Sequence, residues 1–94
     1  MADVGEQKVV DLKILNKHGM HARPAAMFVK LASQFDSDIR IEKDGTAVSG
    51  KSIMGLLTME LHHGADFKLL VEGKDADKAV AAMVELVNNK FNEE

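Results

Sequence analysis

The sequence predicts an α+β fold: a two-layer, open-faced sandwich with elements in the order βαββαβα, its helices on one face of a four-stranded antiparallel sheet. Three observations carry this. Three short segments alternate apolar and polar residues with period two and a fourth follows one of them across turn chemistry, two longer segments repeat apolar residues at helical spacing with a capped shorter helix between them, and the outward strand positions are mostly charged. One-sided burial of that kind is tolerated by antiparallel sheets and excluded for parallel ones.

The first strand runs from Lys8 to Leu15, where Val10, Leu12 and Ile14 alternate with Asp11 and Lys13. After Asn16 to Met20, the segment Ala22 to Phe35 puts Ala25, Phe28, Leu31, Ala32 and Phe35 on one helical face and Lys30 and Gln34 on the other. Ile39 and Ile41 alternate with Asp38, Arg40 and Glu42. Lys43-Asp44-Gly45 then supplies turn chemistry before a short strand, Thr46 to Ser49, which makes a hairpin. Ser52 is a good N-cap for a short helix from Ile53 to about Leu61, ended by His62-His63-Gly64. Phe67, Leu69 and Val71 alternate with Lys68, Leu70 and Glu72 in the last strand, which Gly73 closes. Asp75 can cap a final helix to about Asn89, in which Ala76, Ala79, Val80, Met83, Leu86 or Val87, and Phe91 recur at helical spacing.

With 94 residues the chain has room for one domain, and the polar lead 1–7 is expected to fray. Apolar residues at 46% and charged residues at 29% are globular proportions, enough to build a core. The absence of Cys excludes disulfides, thiol catalysis and a Cys-ligated metal, and it fits a reducing cytoplasm. Asp3, Glu6, Lys8 and Asp11 interrupt what a signal peptide would need, and no apolar run reaches membrane-spanning length. A net charge of -3 with only four Phe argues against nucleic acid as a partner. Any anion must be met locally.

Such a place exists at Gly19-Met20-His21-Ala22-Arg23-Pro24-Ala25-Ala26. Pro is accepted in a first helical turn, so the helix begins near His21. The free amides of Ala22 and Arg23, the positive end of the helix dipole and the Arg23 guanidinium then surround an imidazole and suit a dianion. A neutral imidazole is a nucleophile near physiological pH and can take a phosphoryl group without a separate base. Spacing alone leaves two readings of His21, a helix cap and a phosphoryl acceptor.

The stretch Gly19 to Ala25 resembles the active-site signature of the HPr family, the histidine phosphocarriers of the bacterial phosphotransferase system. Lys51-Ser52-Ile53-Met54-Gly55-Leu56-Leu57 is similar to the family segment whose serine is modified by HPr kinase/phosphorylase. The resemblance covers Lys8 to Phe91 and implies strand order 1-4-2-3. It implies that His21 takes phosphate on Nδ1 from phosphorylated enzyme I and passes it to an enzyme IIA, with Arg23 and the Ala22 amide holding the phosphate. The protein would be a carrier, not an enzyme in the strict sense, working as a monomer without cofactor or metal.

On spacing Ser52 is a cap; the resemblance makes it a regulatory phosphorylation site. Phosphate there would put about two negative charges beside the docking surface and slow transfer to His21. Met20, Ile53, Met54 and Leu57, rimmed by Lys30 and Lys51, form the expected partner-docking patch, while Leu56 is assigned to the core. His18 stands where many family members have Ser or Thr, close enough to be a phosphate neighbour, and a solvated loop histidine with no special task is the other reading. Asn16-Lys17 and the ending Leu86 to Glu94 resemble the nitrogen-related NPr branch, whereas Lys51 to Gly55 resembles HPr proper, so the downstream pathway stays open. His62 and His63 are adjacent on the chain, point apart on a helix and have no nearby motif to complete a ligand set. Two rivals remain. A purely regulatory adaptor would act through its phosphorylation state without onward transfer, and a ligand-binding domain of similar layout would leave the His21–Arg23 pair unexplained.

Overall fold

The structure is a computed structural model that describes residues 7–93; the expected frayed lead therefore lies, except for Gln7, outside the described residues. Its elements are β1 (Lys8–Lys13), α1 (Ala22–Ala32), β2 (Asp38–Lys43), β3 (Thr46–Ser49), α2 (Ile53–Thr58), β4 (Asp66–Glu72) and α3 (Ala76–Asn88), followed by a short turn of helix at Lys90–Asn92. The strands form one antiparallel sheet in the order β1-β4-β2-β3. That is the order implied by the resemblance.

Alternation decides the two faces. Leu12, Ile14, Ile39, Ile41, Phe67, Leu69 and Val71 are buried under the helices, which contribute Ala25, Phe28, Leu56, Ala79, Met83 and Val87. On the other face β1 and β4 place opposite charges side by side: Lys68 bonds Asp11 at 2.7 Å and Lys13 meets Asp66 at 2.8 Å. Exposed pairs like these contribute little to stability but keep the open face wet. No described helix is long and apolar enough to cross a membrane.

Helix ends differ from expectation for one physical reason. α1 stops at Ala32, and Phe35 is half-buried from the turn that follows. α2 stops at Thr58 because Glu60 takes a left-handed conformation (φ 52°), and Leu61 is buried from the loop beyond it. Phe91 is buried from the turn after α3. Burial rewards an apolar side chain whatever backbone carries it, so helical spacing overruns the true end.

Asp75 precedes α3, but its side chain makes no bond to the helix. Its carboxylate instead accepts the amides of Asp36 and Ser37, at 2.9 and 3.0 Å, and the Ser37 hydroxyl, tying the start of α3 to the entry of β2. Room for this clasp comes from Gly73, where a Cβ would lie 2.7 Å from the Ser37 Cα. The expected cap is thus a tertiary brace.

Candidate functional site

The loop joining β1 to α1 is pinned at both ends. The Ile14 amide bonds the Ala65 carbonyl at 2.9 Å and the Met20 amide bonds the Leu61 carbonyl at 2.8 Å, so the segment after α2 holds it. Gly19 makes this close approach possible: it sits at φ 73°, and a Cβ would stand 2.6 Å from the Leu61 oxygen. The same contact draws Met20 inward, leaving it 5% exposed. Met20 is therefore a core residue and not part of a docking patch.

His21 follows in extended backbone (φ -94°, ψ -166°) and its carbonyl accepts the Ala25 amide at 3.0 Å, the first bond of α1. Its imidazole does not cap the helix. Nε2 lies 3.0 Å from Oε2 of Glu93, 72 positions later in the chain. Pro24, which has no amide to satisfy, is buried in the first turn, while Ala22 and Arg23 are exposed. The amides of those two residues have no acceptor within the helix and open toward solvent.

Glu93 is the functional neighbour that sequence reasoning missed. Its other oxygen, Oε1, accepts from the side-chain amide of Asn16 at 3.1 Å, and the same nitrogen donates to the Gly19 carbonyl at 2.7 Å. Both partners are pure acceptors, so the Asn16 amide nitrogen must face them. Asn16 is 1% exposed, and its Oδ1 is buried without a partner. Burial opposes ionisation of Glu93, but the hydrogen bonds from Asn16 and His21 and the charges of His21 and Arg23 outweigh it. The carboxyl is held below the usual glutamate range. An ionised carboxylate only accepts, so Nε2 of His21 carries the hydrogen between them.

Lys17, His18, His21, Arg23, Asn92 and Glu93 line an open recess of about 450 Å³. His18 is exposed, with its ring edge-on to that of His21 at a centroid distance of 6.1 Å. Lys17 and Arg23 are its cations, set against a Glu93 carboxylate already engaged by Asn16 and His21, and with an imidazole whose Nδ1 is unengaged the recess can receive a phosphoryl group. A second hollow, at the sheet end between β1, β2 and β4, sets Asp11, Glu42, Asp44 and Asp66 against Lys43 and Lys68, an excess of carboxylates that disfavours a dianion.

The remaining candidates fall in two places. Ser52 caps α2, its Oγ accepting the Gly55 amide at 3.0 Å. Beside it Ile53 and Met54 are 40% and 70% exposed, Leu57 is half-buried, and Leu56 is core. Lys51 is exposed, but its ammonium is tied to the Phe35 carbonyl at 2.7 Å. Lys30 is not with them. It lines the groove between α1 and α3 alongside Met27, Gln34 and Leu86.

A family model described as "PTS HPr component phosphorylation site" matches residues 9–89. The chain belongs to the HPr family. HPr of Treponema pallidum is 45% identical over 86 residues, covering 92% of this chain and 98% of that protein. The HPr-like protein Crh of Halalkalibacterium halodurans is 42% identical over 84 residues, covering 89% and 98%. Among solved structures, HPr-C-His from Thermoanaerobacter tengcongensis superposes with a TM-score of 0.89 at 48% identity, covering 93% and 98% of the two chains. As an HPr protein the chain is a phosphocarrier of the phosphotransferase system, and a carrier rather than an enzyme.

Proposed function

We propose that this HPr protein accepts a phosphoryl group on Nδ1 of His21 from phosphorylated enzyme I and passes it to an enzyme IIA, within the cytoplasm. The observation that carries the reading is the state of the imidazole. It stands at a helix mouth without capping it, its Nε2 is taken by Glu93, and its other nitrogen is unengaged beside Arg23. Phosphoryl transfer gains chiefly from positioning and charge, which Arg23 and the Ala22 and Arg23 amides supply at this mouth. All these groups come from one chain, so the proposed working unit is a monomer and one domain, with no metal or cofactor in the step.

Ile53, Met54 and Leu57, with Lys51 at the edge, are the proposed contact for both partners. Ser52 is the proposed target of HPr kinase/phosphorylase; the reading is supported by its place beside that patch and by resemblance of Lys51 to Leu57 to the family's regulatory segment. The test is labelling of the full chain with enzyme I and phosphoenolpyruvate. An acid-labile phosphate is expected on the native chain and absent in His21→Ala, and an unlabelled native chain sinks the proposal. Label that then stays put when an enzyme IIA is added would make the protein a regulatory adaptor rather than a relay.

A further inference from the structure

Nothing in the family signature around His21 accounts for the far end of the chain, yet that end is built to reach the site. Lys90, Phe91 and Asn92 are consecutive residues in the left-handed region, with φ of 58°, 54° and 60°. None is glycine, and such a conformation costs an L-residue roughly 1–2 kcal/mol. Phe91 is fully buried and anchors the turn, and the reversal delivers Glu93 to Asn16 and His21. Asn16 in turn spends its buried amide on the Glu93 carboxylate and the Gly19 carbonyl while its own oxygen goes unpaired. Strain in the turn and an orphaned polar atom under it meet at one contact, the carboxylate on the imidazole.

We infer that Glu93, held by Asn16, is a positioning residue for phosphoryl transfer: it binds the Nε2 hydrogen of His21, leaves the Nδ1 lone pair as the ring's nucleophile and balances the charge the ring acquires. The inference rests on the reading of His21 as the acceptor. In the step, the Nδ1 lone pair forms a bond to phosphorus as the bond from phosphorus to the donor's imidazole nitrogen breaks, and that bond's electron pair leaves with the donor. A donor ring protonated on its other nitrogen departs as neutral imidazole. His21 keeps its Nε2 hydrogen throughout, so its ring becomes cationic once phosphorylated. A carboxylate 3.0 Å from Nε2 stabilises that cation and no less favours its formation, as an aspartate does for the histidine of a serine protease. The reverse transfer to an acceptor needs the same alignment, so the contact serves both halves of the relay.

The test uses the full chain with nitrogen-15-labelled histidine, at a pH where the His21 ring is neutral, comparing native protein with Glu93→Gln and Glu93→Asp. The native ring is expected as the Nε2–H tautomer. Glu93→Gln, whose amide both donates and accepts, is expected to show a mixture of tautomers. Its phosphorylation by enzyme I should slow about tenfold, the scale on which outer partners of a functional imidazole act, with KM for enzyme I unchanged. Glu93→Asp should recover part of the rate, and thermal melts of both variants check the fold. A native tautomer and native rate in Glu93→Gln would overturn the inference, as would a loss confined to KM. If the native chain takes no label on His21, the reading of His21 as the acceptor fails instead, and the tautomer still decides whether Glu93 orients the ring.

Discussion

Ser52 and His21 both stand one residue ahead of a helix in extended backbone, and they are put to opposite uses. The Ser52 hydroxyl turns back onto its own helix and accepts the Gly55 amide, which satisfies one of the orphan donors of the first turn. The His21 ring turns away from its helix, to Glu93. Its helix keeps its first amides unengaged, and with Arg23 beside them they form a place for an anion that no side chain of the loop fills. A capped helix start is stabilised and chemically closed. An uncapped one costs some stability and stays open to a ligand, and this protein carries one of each on adjacent helices.

The widest expected gap between the two starts is in transfer. His21→Ala should abolish labelling by enzyme I entirely, and the stability it loses should come from the Glu93 contact and not from a cap: made in a Glu93→Ala background, it should change unfolding free energy by no more than about 0.5 kcal/mol. Ser52→Ala should do the reverse, keeping transfer and losing stability. Chemical denaturation run beside the labelling assay checks both. A loss as large as that of a cap in the Glu93→Ala background would mean that the imidazole supports the start of α1 after all.

Asp75, at the third helix start, sharpens the contrast, since it neither caps nor stays open. The Ser37 hydroxyl bond, with the Asp36 and Ser37 amides behind it, holds its carboxyl below the usual aspartate range against the opposing effect of burial. A carboxyl depressed by folding stabilises the fold above its unfolded titration and loses that contribution as pH falls through the folded one. Native protein should therefore lose stability as pH falls through and below the ordinary aspartate range. Asp75→Ala should be flatter over the same interval. At neutral pH Asp75→Ala should melt below Ser52→Ala, because it strands the amide and hydroxyl of Ser37, which is 1% exposed. Thermal melts at several pH values compare the two directly.

These three starts also mark what the sequence could convey. A polar residue before an apolar helical repeat announces a helix at each of them, and each helix is there. Whether the side chain bonds its own helix depends on what else lies within reach, and those partners are distant in sequence: Ser37 for Asp75, Glu93 for His21. Strand faces were legible because alternation is a local property. Leu12, Ile14, Ile39, Ile41, Leu69 and Val71 all point inward as their spacing requires. Met20 was not legible, because its burial follows from the bond between its amide and Leu61 across the loop. Glu93 carried no signal at all. An acidic residue near a chain end is ordinary, and only the left-handed turn anchored by Phe91 gives it a site.

The smallest expected effect concerns Ser52 and separates its two roles. Loss of the cap in Ser52→Ala should cost about 1 kcal/mol, read as a shift in denaturation midpoint with an unchanged slope. Ser52→Asp can still accept the Gly55 amide, since Asp is as good a cap as Ser, so its stability should remain near native. What Asp adds is a negative charge next to the exposed Ile53 and Met54. If that surface receives an acidic partner bearing phosphate, the charge acts at encounter and should slow phosphorylation of His21 by a small factor that shrinks as salt is raised. Equal rates for Ser52→Asp and native protein at low salt would leave Ser52 a cap and nothing more. A rate that falls in Ser52→Ala as well would point to the helix it caps, and not to charge, as what the partner reads.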